Sequence, residues 1–139
     1  MELAQILNAG GLAGLAVGVT NGLLAWSLAR MFAVSAEDLR PTTSQGYALR
    51  VLLHLIAGIG LALLYWLSWG LAALVNVTWW QRGLAFAAIT WGVTCLPFAF
   101  AVLATQRWRW RAAALALTQW LYSFVLIGLA CAWSWVKGP

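Results

Sequence analysis

Long apolar runs set the layout of this chain, and its few charges mark where they stop. No charged residue falls between Glu2 and Arg30, Arg50 and Arg82, Arg82 and Arg107, or Arg111 and Lys137; His54 is the one side chain inside these intervals whose unperturbed titration falls near neutrality. Each interval exceeds the roughly 20 residues that a helix needs to cross about 30 Å of hydrocarbon. The pattern predicts four membrane spans, about 7–32, 48–75, 83–105 and 112–136, in a single transmembrane domain. The runs are continuously apolar, not alternating, so an all-α four-helix bundle is expected and not a β-barrel. The first run is too long for the hydrophobic part of a signal peptide and lacks a basic leader, so it counts as span one.

Span one carries Gly10, Gly14, Gly18 and Gly22 at strict four-residue spacing, the pattern of a glycine zipper. Each interior glycine costs a helix in water about 1 kcal/mol relative to alanine. In lipid the helix must form regardless, because unpaired backbone groups are not tolerated there, and the missing side chains let another helix approach closely. Gly11, Ala25 and Ala29 extend the small face, and Asn21 lies at its edge, where it is expected to meet a partner helix and not lipid. In span two, His54, Gly58 and Ala62 form a small, partly polar row at the same spacing, which makes this helix a candidate partner for the glycines.

The connection after span one holds the only interior carboxylates, Glu37 and Asp38. Ser35 three residues before Asp38 resembles an N-cap and Pro41 a stop, so a short interfacial helix is expected there, followed by a polar loop from Thr42 to Gly46. Span three places Thr90, Thr94, Pro97 and Ala101 on one face; Pro97 leaves the Val93 carbonyl without its helical donor, so a kink or a polar substitute is expected there, and Thr94 is near enough to help. Span four brings Gln119 and Ser123 onto a face with Ala112 and Ala116. Counted from the predicted cytoplasmic ends, His54 lies about 6 Å deep, and Asn21, Pro97 and Gln119 about 12 to 14 Å deep. Asn21, His54, Thr94 and Gln119 are therefore the candidate ligand-binding or pore-lining residues, with interhelical hydrogen bonding as the plainer use of the same side chains.

Composition and charge settle the class and suggest an orientation. Of 139 residues 64% are hydrophobic and 8% charged, with a mean hydropathy of +0.86, far from the roughly one-quarter charged content of soluble domains. The net charge of +5 is not a nucleic-acid signature, because Arg30, Arg40, Arg50, Arg107, Arg109 and Arg111 gather at the first and third connections, against Arg82 and Lys137 at the other face. By the positive-inside rule those connections are cytoplasmic and both termini lie outside, in the orientation expected for a bacterial cytoplasmic membrane. Arg107, Arg109 and Arg111, interleaved with Trp108 and Trp110, are expected to anchor the bundle to anionic lipid headgroups. Trp79, Trp80, Trp133 and Trp135 suit the opposite headgroup layer. Asn76 and Thr78 complete a glycosylation sequon, in a loop too close to the bilayer for its use to be expected.

Recognisable chemistry is sparse. No carboxylate sits inside a span, so the relay of a proton-coupled exporter is missing. Cys95 and Cys131 lie at different depths from each other and from His54, which argues against a disulfide or a zinc site. No catalytic residue, metal or cofactor is predicted. The order of features, with Gly22 and Trp26 in the first span, Ser35-Ala36-Glu37-Asp38-Leu39 after it, and Gly128 and Trp133 near the close of span four, resembles a family of small bacterial four-span membrane proteins of unknown function. That resemblance implies the fold and brings no activity with it. The expected role is a non-enzymatic membrane protein packing through its glycine face, as a homo-oligomer or an accessory or scaffold subunit of a larger membrane complex. A passive pore or small-solute transporter is the alternative, and a haem- or quinone-binding redox subunit using His54 a third.

Overall fold

The computed structural model describes residues 3–31, 44–68, 76–105 and 110–137, and of residues 25, 26, 29, 105 and 137 the backbone alone. They form four helices: α1 (Leu3–Met31), α2 (Ser44–Leu67), α3 (Trp79–Thr105) and α4 (Trp110–Lys137). Each is long and apolar enough to cross a membrane, and the chain is an integral membrane protein built as a four-helix bundle. The interfacial helix expected between Ser35 and Pro41, and the anchoring residues Arg107 and Arg109, lie outside the described residues, as do the side chains of Ala25 and Ala29. Arg111 is exposed, with its guanidinium 5.6 Å from the Trp110 ring centroid.

The helix limits differ from the apolar intervals for local reasons. Before α3, Gln81 Oε1 accepts from both the backbone N–H and the hydroxyl of Thr78, at 2.9 Å each. This is half of a capping box, and it starts the helix four residues ahead of the uncharged run. Ser44, Gln45 and Gly46, expected in a loop, form the first turn of α2. The described part of α2 closes at Ser68, whose N–H donates to Leu64 O at 2.9 Å and whose hydroxyl donates to Tyr65 O at 2.8 Å. Pro97 lies inside an unbroken α3. The Thr94 hydroxyl donates to Thr90 O at 2.7 Å, and so does not serve the Val93 carbonyl.

α1 and α2 pack as an antiparallel pair, α3 and α4 as another, and the broad α1–α4 contact joins them while α2 touches α4 more lightly. Glycine makes the first pairing possible. A Cβ on Gly14 would run into the His54 carbonyl, one on Gly10 would lie 2.5 Å from Gly58 O, and one on Gly18 2.9 Å from Val51 Cα. Gly22 is looser, with only a Tyr47 ring atom at 3.8 Å. The row of four glycines thus faces Tyr47, Val51, His54 and Gly58 of the same chain in antiparallel order. Single glycines rather than a row join α3 to α4: a Cβ on Gly83 would lie 2.9 Å from Gly128 O and 3.0 Å from Leu129 Cα. Gly83→Leu is therefore expected to destabilise the bundle by roughly 1–3 kcal/mol, the usual cost of overpacking, as read by thermal unfolding in mild detergent.

The core lies toward one end. Ile6, Tyr65, Phe86, Ile127 and Cys131, from all four helices, are buried together, and the Tyr65 ring meets those of Phe86 and Trp135 edge-on at 5.0 and 5.9 Å. At the opposite end, which carries Arg30, Arg50 and Arg111 and is called here the basic end, α2 and α3 do not close on one another. Two cavities lie in this half.

Candidate functional site

The first cavity begins with a polar pair at the α1–α2 seam. Gly18 and Gly14 draw the helices close enough for Asn21 to reach His54, and both side chains are buried, at 5% and 6% exposure. His54 Nδ1 lies 2.8 Å from the Arg50 carbonyl, which only accepts, so Nδ1 carries the proton. In the neutral ring Nε2 is then an acceptor, and Asn21 Nδ2 donates to it at 3.0 Å. With Nε2 unprotonated, reversing the amide would point its oxygen at the Nε2 lone pair. Asn21 Oδ1 is left buried with no hydrogen-bond donor among the described residues.

Asn21 and His54 line a cavity of about 290 Å³ together with Gly46, Arg50, Gln119 and Trp120. The Trp120 indole stacks on the His54 imidazole, with centroids 5.5 Å apart and planes 9° from parallel. Next to Asn21 on α1, Thr20 Oγ1 donates to Ala16 O at 2.8 Å, so the Tyr122 hydroxyl 3.0 Å from it is the donor of that bond and ties α4 to α1. The residues lining the cavity therefore carry a buried amide acceptor without a donor (Asn21), a second amide (Gln119) and a guanidinium (Arg50). Both nitrogens of His54 are engaged, which makes it a brace and a stacking surface and leaves neither nitrogen facing a haem iron.

The second cavity is an apolar cleft of about 500 Å³ between α2, α3 and α4. Gly60 and Leu64 form one wall, Thr94 and Phe98 another, Ala113 and Trp120 part of the floor. Its two threonines add no free polarity: Thr90 donates to Phe86 O at 2.6 Å and Thr94 to Thr90 O, so both hydroxyls bond back to their own helix. At Gly60 a Cβ would meet nothing within 4 Å. Trp120 lines both cavities.

Of the four candidate ligand-binding or pore-lining residues, Asn21, His54 and Gln119 share one cavity, and Thr94 lines the apolar cleft. Depth along a helix fixes height but not rotation, and α3 turns Thr94 away from α1. Arg50 was read from the sequence only as an orienting charge, and Trp120 was not singled out at all. For Trp120 a signal existed: it stands about 15 Å along α4, well inside the span, whereas most of the chain's tryptophans cluster near helix ends. No family model, curated protein or solved structure matches the chain.

Proposed function

We propose that this membrane protein is a non-enzymatic binding protein whose pocket at the basic end takes a small anion bearing a hydroxyl group. The observation that carries this reading is Asn21 Oδ1, a buried acceptor lacking a donor on a residue that lines the cavity. Leaving such a group unpaired costs about 1–3 kcal/mol, and a hydroxyl entering the pocket would relieve that cost. Arg50, on the same wall, favours a negatively charged guest, since a guanidinium partly removed from water is best matched by an anion. The positive-inside bias of Arg30, Arg50 and Arg111 supports a cytoplasmic location for the pocket, with both termini across a bacterial cytoplasmic membrane.

A pore through the bundle is less well supported. Beyond the pocket the described core is filled by Tyr65, Phe86, Ile127 and Cys131. An oligomer or accessory subunit held by the glycine row loses the observation that suggested it, because α2 of the same chain covers Gly10, Gly14 and Gly18. The test is a titration of the detergent-solubilised protein with sn-glycerol 1-phosphate, followed through the Asn21 side-chain amide signals by NMR. A saturable shift in the millimolar range that weakens at least several-fold in Gln119→Leu is expected. Identical spectra with and without glycerol phosphate would overturn the reading.

A further inference from the structure

Resting on that reading, the geometry points to a phospholipid as the source of the hydroxylated anion: its head group in the polar pocket, one acyl chain in the apolar cleft, and Trp120 at the junction. The two cavities are neighbours in the direction such a molecule requires. Along α2, the pocket residues Gly46 to His54 are followed by the cleft residues Ala57 to Leu64, so on this helix the polar cavity gives way to the apolar one deeper in the bundle. A lipid of the leaflet at the basic end has the same order, polar head first and hydrocarbon below. Both cavities fall in or near the size range of small-ligand sites, and only together do they offer polar and apolar surface to one guest.

The cleft is built for hydrocarbon. Gly60 holds one side open, and the Thr90 and Thr94 hydroxyls are already engaged by backbone carbonyls, so no unpaired hydrogen-bonding group on these residues penalises an acyl chain. At the other end, Asn21 Oδ1 asks for a donor and Arg50 for an anion. Phosphatidylglycerol satisfies both through its hydroxyls and its phosphate. Phosphatidylcholine supplies the phosphate without a donor. Trp120, 41% exposed and held by stacking on His54 and an edge contact with Phe124 at 6.3 Å, is the side chain past which the lipid must lie.

Delipidated full-length protein is to be titrated with dioleoyl phosphatidylglycerol or dioleoyl phosphatidylcholine and the adducts counted by native mass spectrometry. One phosphatidylglycerol per chain is expected to persist, bound at least tenfold more tightly than phosphatidylcholine. In Gly60→Phe the new ring enters the cleft from a position with no neighbour within 4 Å, so the fold and its melting point hold while phosphatidylglycerol binding falls tenfold or more. Equal binding of the two lipids, or unaltered phosphatidylglycerol binding in Gly60→Phe, would overturn the inference. If in either case the response to glycerol phosphate survives, the pocket stands and only its lipid source fails; if that response is also absent, both fail.

Discussion

Leucine at Gly58 pulls α1 away from α2, whereas leucine two residues further on, at Gly60, leaves the bundle as stable as before. The two positions differ in what surrounds them and not in helix propensity, which leucine improves at both. A Cβ at Gly58 would run into the Gly10 carbonyl oxygen and lie 3.0 Å from Gly14 Cα, so it meets the backbone of a neighbouring helix, which cannot rotate aside as a side chain does. A Cβ at Gly60 meets nothing within 4 Å. Relief at Gly58 requires the whole α1–α2 seam to separate, and that seam also aligns Asn21 with His54. The cost is expected to be about 3 kcal/mol or more, the upper part of the overpacking range. Gly60→Leu stays within about 0.5 kcal/mol of the unsubstituted protein, as open surface positions do. Thermal unfolding in one detergent, followed by circular dichroism, compares the pair directly. Equal melting of the two variants would show that α1 does not rest on Gly58.

This contrast also marks how far the sequence reaches. Four uncharged runs translate into four spans because hydrocarbon admits few other solutions, and the four-residue spacing of Gly10, Gly14, Gly18 and Gly22 announces a face that another backbone will approach. The His54–Gly58–Ala62 row made α2 one candidate for the covering helix, since it sets small residues at the matching interval. Gly83 and Gly128 gave no such sign: neither belongs to a regular row of glycines, and their contact exists only once α3 and α4 are docked. The cleft was invisible for a related reason. It arises where α2 and α3 fail to meet, a property of tertiary packing that no local run of residues encodes. Thr94 lines a different cavity from Asn21, His54 and Gln119, and polarity alone does not reveal which way a helix is turned. The start of α3 was legible in principle from Thr78 and Gln81, a capping pair that the apolar count passes over.

Removing the Asn21 amide should cost the protein its ligand and leave its fold almost unchanged. In Asn21→Leu the hydrogen bond to His54 disappears, a loss of roughly 0.6 kcal/mol by the standard of measured intramembrane contacts. The unpaired Oδ1 disappears with it, returning a cost of about 1–3 kcal/mol, but His54 Nε2 is then left without its donor and restores a penalty of the same kind. These terms nearly cancel, so stability is expected to stay within about 1 kcal/mol. The response to glycerol phosphate, followed in this variant through the Gln119 side-chain amide, and the preference for phosphatidylglycerol are by contrast expected to fall at least tenfold. A second change, His54→Phe on the Asn21→Leu background, removes the orphaned nitrogen, keeps an aromatic ring against Trp120, and is expected to raise the melting point above that of either single variant while binding stays lost. A buried amide and imidazole that reduce stability and yet are needed for binding have the profile of a site. Were Asn21→Leu instead to unfold the bundle and the surviving folded fraction to bind phosphatidylglycerol normally, the pair would be interhelical fastening, and the pocket beside it would have no acceptor to offer.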